Sequence, residues 1–136
     1  MNKVFKLDMS RSGLSGDYTM FVMQSLEELN LVHNNLSSTF TVAGESANVD
    51  QIWLSHNKIS SFVDGGNIAN LRILDLSFND FTGDFIITSK DFPTSIQYLN
   101  LGSNVLTGFR DGDILINLKS LGLSSNAFVG DFVITS

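Results

Sequence analysis

Apolar residues recur along the chain in one short phrase: apolar, two variable residues, apolar, one variable, apolar, two variable, Asn, one variable, apolar. The phrase occupies Leu26–Leu36, Val49–Ile59, Leu71–Phe81, Ile96–Leu106 and Leu118–Phe128. A degenerate copy, Val4–Leu14, precedes them and carries Ser12 where the others carry Asn. Within each phrase the apolar–variable–apolar step has the period of a β-strand, so its apolar residues point one way and the residue between them the other. The polar column Ser12, Asn34, Asn57, Asn79, Asn104, Asn126 sets spacings of 22, 23, 22, 25 and 22 residues. A period of that length defines an architecture before any single residue is weighed. One coil cannot bury its own apolar side chains. Coils stacked side by side make a parallel sheet and a continuous core.

The half-repeat after the Asn column carries a second motif. It reads Leu14-Ser-Gly16-Asp-Tyr18, Phe81-Thr-Gly83-Asp-Phe85, Leu106-Thr-Gly108-Phe109 and Phe128-Val-Gly130-Asp-Phe132. Gly16, Gly83, Gly108 and Gly130 suit a tight bend on the far side of each coil. The aromatics Tyr18, Phe40, Phe85 and Phe132 are expected to stack along the convex side. Eleven phenylalanines suit a spine running between coils better than a surface.

These motifs resemble the leucine-rich repeat family, whose L-x-x-L-x-L-x-x-N-x-L pattern and 20–29-residue period they follow over nearly the whole chain. The continuation is similar to the L-x-G-x-I-P of the plant-specific subclass, with an aromatic in place of Ile and without its Pro. The one proline, Pro93, stands before the fifth copy's strand. The resemblance implies a right-handed solenoid with a parallel concave sheet of about six strands and a convex side of short strands, turns and 3-10 segments. It also implies that Asn34, Asn57, Asn79 and Asn104 turn inward to satisfy buried backbone, since an amide offers both donors and an acceptor.

The repeats divide the 136 residues into one unit of six coils, about 4–25, 26–48, 49–70, 71–95, 96–117 and 118–136, with no linker. The longest irregular joins, Phe40 to Asn48 and Thr88 to Thr94, read as back loops. Capping units are absent at both ends, so the solenoid is expected to be a segment of a longer protein or to be covered by copies of itself.

At 43% apolar and 16% charged residues the chain is a folded unit. A net charge of −6 without a Lys/Arg cluster disfavours nucleic acid and anionic membrane surfaces. No run approaches the roughly 18 apolar residues that span a bilayer. Asp111-Gly-Asp113 offers too few ligands for Ca²⁺. With no cysteine, disulfides say nothing of the compartment. The start leaves no room for a signal peptide. The sequon Asn35-Leu36-Ser37 makes Asn35 a candidate N-glycosylation acceptor and leans toward an extracellular or cell-surface setting.

Catalytic patterns are missing: no G-x-S-x-G elbow, phosphate loop, dinucleotide fingerprint or paired His zinc motif occurs. Asp17, Asp84 and Asp131 recur because the repeat recurs. The chain reads as a non-enzyme without cofactor or metal. Function in such a scaffold belongs to the outward positions of the concave sheet, which fall into three columns. The first runs Lys6, Glu28, Gln51, Ile73, Tyr98, Ser120. The second runs Asp8, Asn30, Trp53, Asp75, Asn100, Gly122. The third runs Arg11, His33, His56, Phe78, Ser103, Ser125. Trp53, His56, Phe78 and Tyr98, with His33 and Gln51 beside them, form the candidate contact patch for a protein, peptide or glycan. Cross-strand pairing that merely stabilises the sheet is the plainer alternative. His33 and His56 share a column, too few ligands for Zn²⁺ but close enough to resist double protonation. Two functions remain open: a recognition module using the concave face, and a structural protein whose coils associate end to end into a fibre or coat.

Overall fold

The computed structural model describes residues 3–21, 23–44 and 48–135. Each coil contributes one short concave strand: β1 (Lys6–Asp8), β3 (Glu28–Asn30), β5 (Gln51–Trp53), β7 (Ile73–Asp75), β9 (Tyr98–Asn100) and β11 (Ser120–Gly122). They form one six-stranded parallel sheet in the order β1-β3-β5-β7-β9-β11. Each join is in the register that the sequence alignment of the repeats requires. Leu7, Leu29, Ile52, Leu74, Leu99 and Leu121 line up as one row. The four central members are sealed in the core, each burial stabilising the fold by about 1.5–3 kcal/mol. The fold is therefore a parallel β-solenoid of six turns.

The polar column does the backbone work expected of it. Asn57 Oδ1 accepts the Leu36 amide at 3.0 Å, while its Nδ2 donates to the Leu31 and Leu54 carbonyls at 3.0 and 3.1 Å. Asn79 repeats this one coil on, with Ile59 N, Leu54 O and Leu76 O. Each amide thus ties its own strand end to the coil before it, where no regular ladder could satisfy those groups.

The opposite side carries two further parallel sheets, β2-β4-β6 and β12-β10-β8. Their strands are β2 (Ser15–Phe21), β4 (Asn35–Ala43), β6 (Lys58–Val63), β8 (Thr82–Ile86), β10 (Val105–Arg110) and β12 (Phe132–Val133). Strands and turns make up this side, and no 3-10 segment occurs among the described residues. The join from Phe40 to Asn48 is strand as far as Ala43, and residues 45–47 lie outside the described residues. Gly130 stands in a bend just before β12, as expected, whereas Gly16, Gly83 and Gly108 lie inside strands, at or beside irregularities. Register shifts fall between Gly16 and Tyr18 and between Leu106 and Gly108. Gly16 and Gly83 take φ of 78° and 69°, a region that glycine enters without strain.

Aromatic rings fill the convex interior. Tyr18, Phe40 and Phe62 stack at 5.5 and 5.6 Å, and Phe85, Phe109 and Phe132 follow at 6.4 and 5.9 Å. The two runs belong to different sheets, because β6 and β8 do not pair. Phe92 joins them, lying 5.5 Å from both Phe62 and Phe85. It comes from the 25-residue spacing between Asn79 and Asn104, the longest in the chain. The extra residues supply a ring that wedges the convex side apart.

Candidate functional site

With core and Asn column accounted for, the concave outward positions remain. The first two columns are true rows of the sheet. Gln51 lies between Glu28 and Ile73, Tyr98 between Ile73 and Ser120, and Trp53 between Asn30 and Asp75. All of these side chains but Ser120, which is exposed, are half-buried. Adjacent strands about 4.8 Å apart bring such neighbours into contact.

The second column has a job that the sequence did not disclose. Asp8, Asn30, Asp75 and Asn100 each accept the amide two residues on, at 2.9, 3.0, 2.9 and 2.9 Å, closing the turn where the chain leaves the sheet. Trp53 occupies the same place and has no acceptor for that bond. The third coil therefore gives up a cap for an indole. Gly122 gives it up as well, without gaining a side chain.

The third column departs from the sheet altogether. Arg11, His33, His56, Phe78, Ser103 and Ser125 all adopt φ between 52° and 57°. This left-handed turn swings the following Asn inward and sets its predecessor on the rim at the strand ends. A bulky Phe is conformationally unfavourable there, whereas His enters the region more readily than most residues. Yet three consecutive coils place rings at it. His33 stacks on His56 at 4.1 Å and His56 on Phe78 at 4.2 Å, with interplanar angles of 15° and 10°. The stack is exposed, and Phe78 keeps 49% of its surface open where the next coil offers only Ser103.

The six sequence-predicted residues therefore form two adjoining parts. Gln51, Trp53 and Tyr98 lie on the floor of the sheet, and His33, His56 and Phe78 form the rim. No ring contact joins Trp53 or Tyr98 to the stack among the described residues. Ile73 and Asp75 complete the floor between Trp53 and Tyr98. Their place follows from strand order, and the signal for Asp75 was its interruption of an aromatic cluster. Asn35 is exposed at the start of β4, on the opposite side of the rim turn from the floor.

Although the His33 ring is exposed, partial desolvation lowers its pKa below the ordinary 6.5, and like-charge repulsion from Arg11 and His56 adds to the shift. In the unfolded chain that constraint is absent, so below pH 6.5 the unfolded state takes up more protons. The stack's contribution is complete above pH 6.5 and is lost as pH falls through the lower folded-state value. Thermal unfolding followed from pH 7.5 to 5 is expected to show that decline, and His33→Gln is expected to flatten it. Metal binding is a poor use of stacked imidazoles. Among the described residues no three His, Asp or Glu side chains gather as a ligand set.

The comparisons with known proteins agree with this geometry. The profile of the leucine-rich repeat family matches residues 22–39 and 67–84. A protein of Dictyostelium discoideum, the S-cell enriched with leucine-rich repeat-containing protein slrA, is 38% identical over 81 residues, 57% of this chain. The chain spans 6% of the length of that relative. Six in-register coils and the inward Asn column agree with these matches, which make the chain similar to leucine-rich repeat proteins. Among the described residues no helix is long and apolar enough to cross a membrane.

Proposed function

We propose that the chain is a non-catalytic recognition module that binds a protein, peptide or glycan through the floor and rim of its concave face. The observation that carries this reading is the placement of large rings at positions whose local chemistry asks for something else. Trp53 stands where four other coils keep an Asp or Asn cap, and Phe78 stands in a left-handed turn that disfavours so bulky a ring. Departures of that kind mark sites selected for contact rather than for the fold. Exposed aromatics on a rigid sheet are the usual centres of binding energy. A cell-surface or secreted setting suits such a module, and the exposed Asn35 sequon is compatible with it.

Peptides selected from a displayed random library for binding to the protein test the reading. Trp53→Ala and Phe78→Ser are expected to weaken the selected peptides at least about tenfold, the scale of a hot spot above ~1.4 kcal/mol. Ser125→Ala on the sixth coil is expected to leave them unchanged. Selected peptides indifferent to both ring substitutions would refute a concave site.

A second reading, end-to-end association, draws on exposed apolar side chains at the first and last coils, Phe21 among them at 71% and Val129 at 88%. Light scattering over a concentration series separates it from the first. A constant monomer mass rejects association, and polymers that grow with concentration support it.

A further inference from the structure

The concave floor carries one charge that neither the fold nor the aromatic patch explains. From the third coil to the sixth, the three outward columns contain no lysine or arginine, and Asp75 is their one carboxylate. Of the cations elsewhere on this side, Lys6 pairs with Glu28 at 2.9 Å and Arg72 with Asp50 at 2.6 Å, and Arg11 stands on the first coil, three strands from Asp75. Capping does not call for the charge either. Asp75 Oδ1 accepts both the amide and the hydroxyl of Ser77, at 2.9 and 2.6 Å. Asn30 and Asn100 make the equivalent backbone bond with a neutral amide oxygen. The other carboxylate oxygen of Asp75, Oδ2, accepts no hydrogen bond from any described residue.

The surroundings of that oxygen are specific. Trp53 lies directly opposite Asp75 on one neighbouring strand and Asn100 on the other. Phe78, three residues on, keeps an exposed ring at the rim of the same coil. A carboxylate beside an indole face is suited to a cation that is also flat. A guanidinium donates to the carboxylate through its edge and lies on an aromatic ring through its face, while an ammonium has no flat face to offer. The charge also fits a net −6 protein, which attracts basic partners.

Resting on the concave-face reading above, we infer that Asp75, Trp53 and Phe78 form a receptor for an arginine side chain of a protein or peptide partner. Asp75 Oδ2 takes the guanidinium N–H, Trp53 takes its face, and Phe78 screens the pair from solvent at the rim. Asn100 holds its own turn, and its amide nitrogen, which donates one hydrogen to the Tyr98 hydroxyl at 3.4 Å, offers the other to the partner's backbone.

The lone tryptophan makes this measurable, because emission reports Trp53 alone. The probes are acetyl-Gly-Arg-Gly-amide, its lysine counterpart, its citrulline counterpart (the neutral shape of arginine) and methyl glucoside. The arginine peptide is expected to change Trp53 emission with saturation, the lysine peptide to bind several-fold more weakly, and citrulline and glucoside to do nothing. Asp75→Asn keeps the cap that Asn30 and Asn100 exemplify, so its thermal midpoint should match the parent while arginine binding falls at least about tenfold. Citrulline binding as well as arginine, an undiminished Asp75→Asn, or glucoside changing the emission while arginine does not would each overturn the assignment. If the displayed peptides still need Trp53 and Phe78 while Asp75→Asn leaves them bound, the arginine receptor falls and the concave-face reading stands.

Discussion

Asn79→Ala is expected to destabilise the protein by about 2–4 kcal/mol in urea denaturation, since it leaves the buried Ile59 amide without its partner and takes one of the two donors from each of three carbonyls. Asn79 is buried, and its amide holds Ile59 N at 3.0 Å, Leu54 O at 3.0 Å, Leu76 O at 3.2 Å and Ser77 O at 3.0 Å. Alanine satisfies none of these, and the apolar row around it admits no ready substitute. Asn79→Asp is the informative control. It keeps the acceptor for Ile59 but turns a carboxylate toward three carbonyls, so it should be no better than alanine at neutral pH. Asn126→Ala should cost less, because that amide is only half-buried and its bonds reach a more open coil. The first coil shows how the column weakens: Ser12 Oγ reaches only the Ser10 carbonyl, 3.2 Å away, within its own turn. A loss for Asn79→Ala below 1 kcal/mol would mean that the column is not what ties the coils together.

Phe92→Ala is expected to cost about 3–5 kcal/mol, the usual range for deleting a buried phenylalanine. Its second consequence concerns cooperativity. Coils of a solenoid touch only their neighbours, so cooperative unfolding depends on every junction. At the third junction the concave sheet is continuous but β6 and β8 are unpaired, and beyond the bonds of Ile59 to Asn79 and Asp80 the Phe92 ring links the two convex runs through Phe62 and Phe85. Its removal should lower the urea midpoint and also broaden the transition or divide it in two, the first three coils parting from the last three. Phe109→Ala, which deletes an equally buried ring between two paired strands, should lower the midpoint without splitting it. A single sharp transition in Phe92→Ala, as steep as in the parent, would show that the concave sheet carries the coupling alone.

The concave half was legible because its rules are local. An apolar residue at every second position and an Asn three residues later fix strand, register and inward amide in each coil, and repetition excludes other registers. The columns Gln51–Ile73–Tyr98 and Trp53–Asp75–Asn100 follow from counting. What counting did not reveal was the role of the second column. Whether Asp75 caps its own turn depends on how the chain leaves the sheet, and only then does Trp53 appear as a missing cap. The third column was read as a third row of the sheet. It is a row of left-handed residues on the rim, because the Asn that follows must turn inward and its predecessor absorbs the reversal.

On the convex side the aromatic spine was foreseen in part, through Tyr18, Phe40, Phe85 and Phe132. Phe62 and Phe92 went unassigned because no glycine motif precedes them, and Phe109, which follows Gly108 directly, was not counted in the spine. Gly16, Gly83 and Gly108 lie at or beside register shifts within strands while Gly130 makes the bend expected of it, a distinction made by the neighbouring coil rather than by the glycine.

The sequence by itself determined the coil, its period, the parallel sheet and the inward polar column, since each follows from the spacing of apolar residues along a single stretch of chain. Tertiary structure alone decided where the convex sheet divides, which rings touch, and which outward side chains serve the turn and which are free. Those outcomes depend on contacts between residues twenty or more positions apart, and the size of a ring in one coil sets the space left for the next.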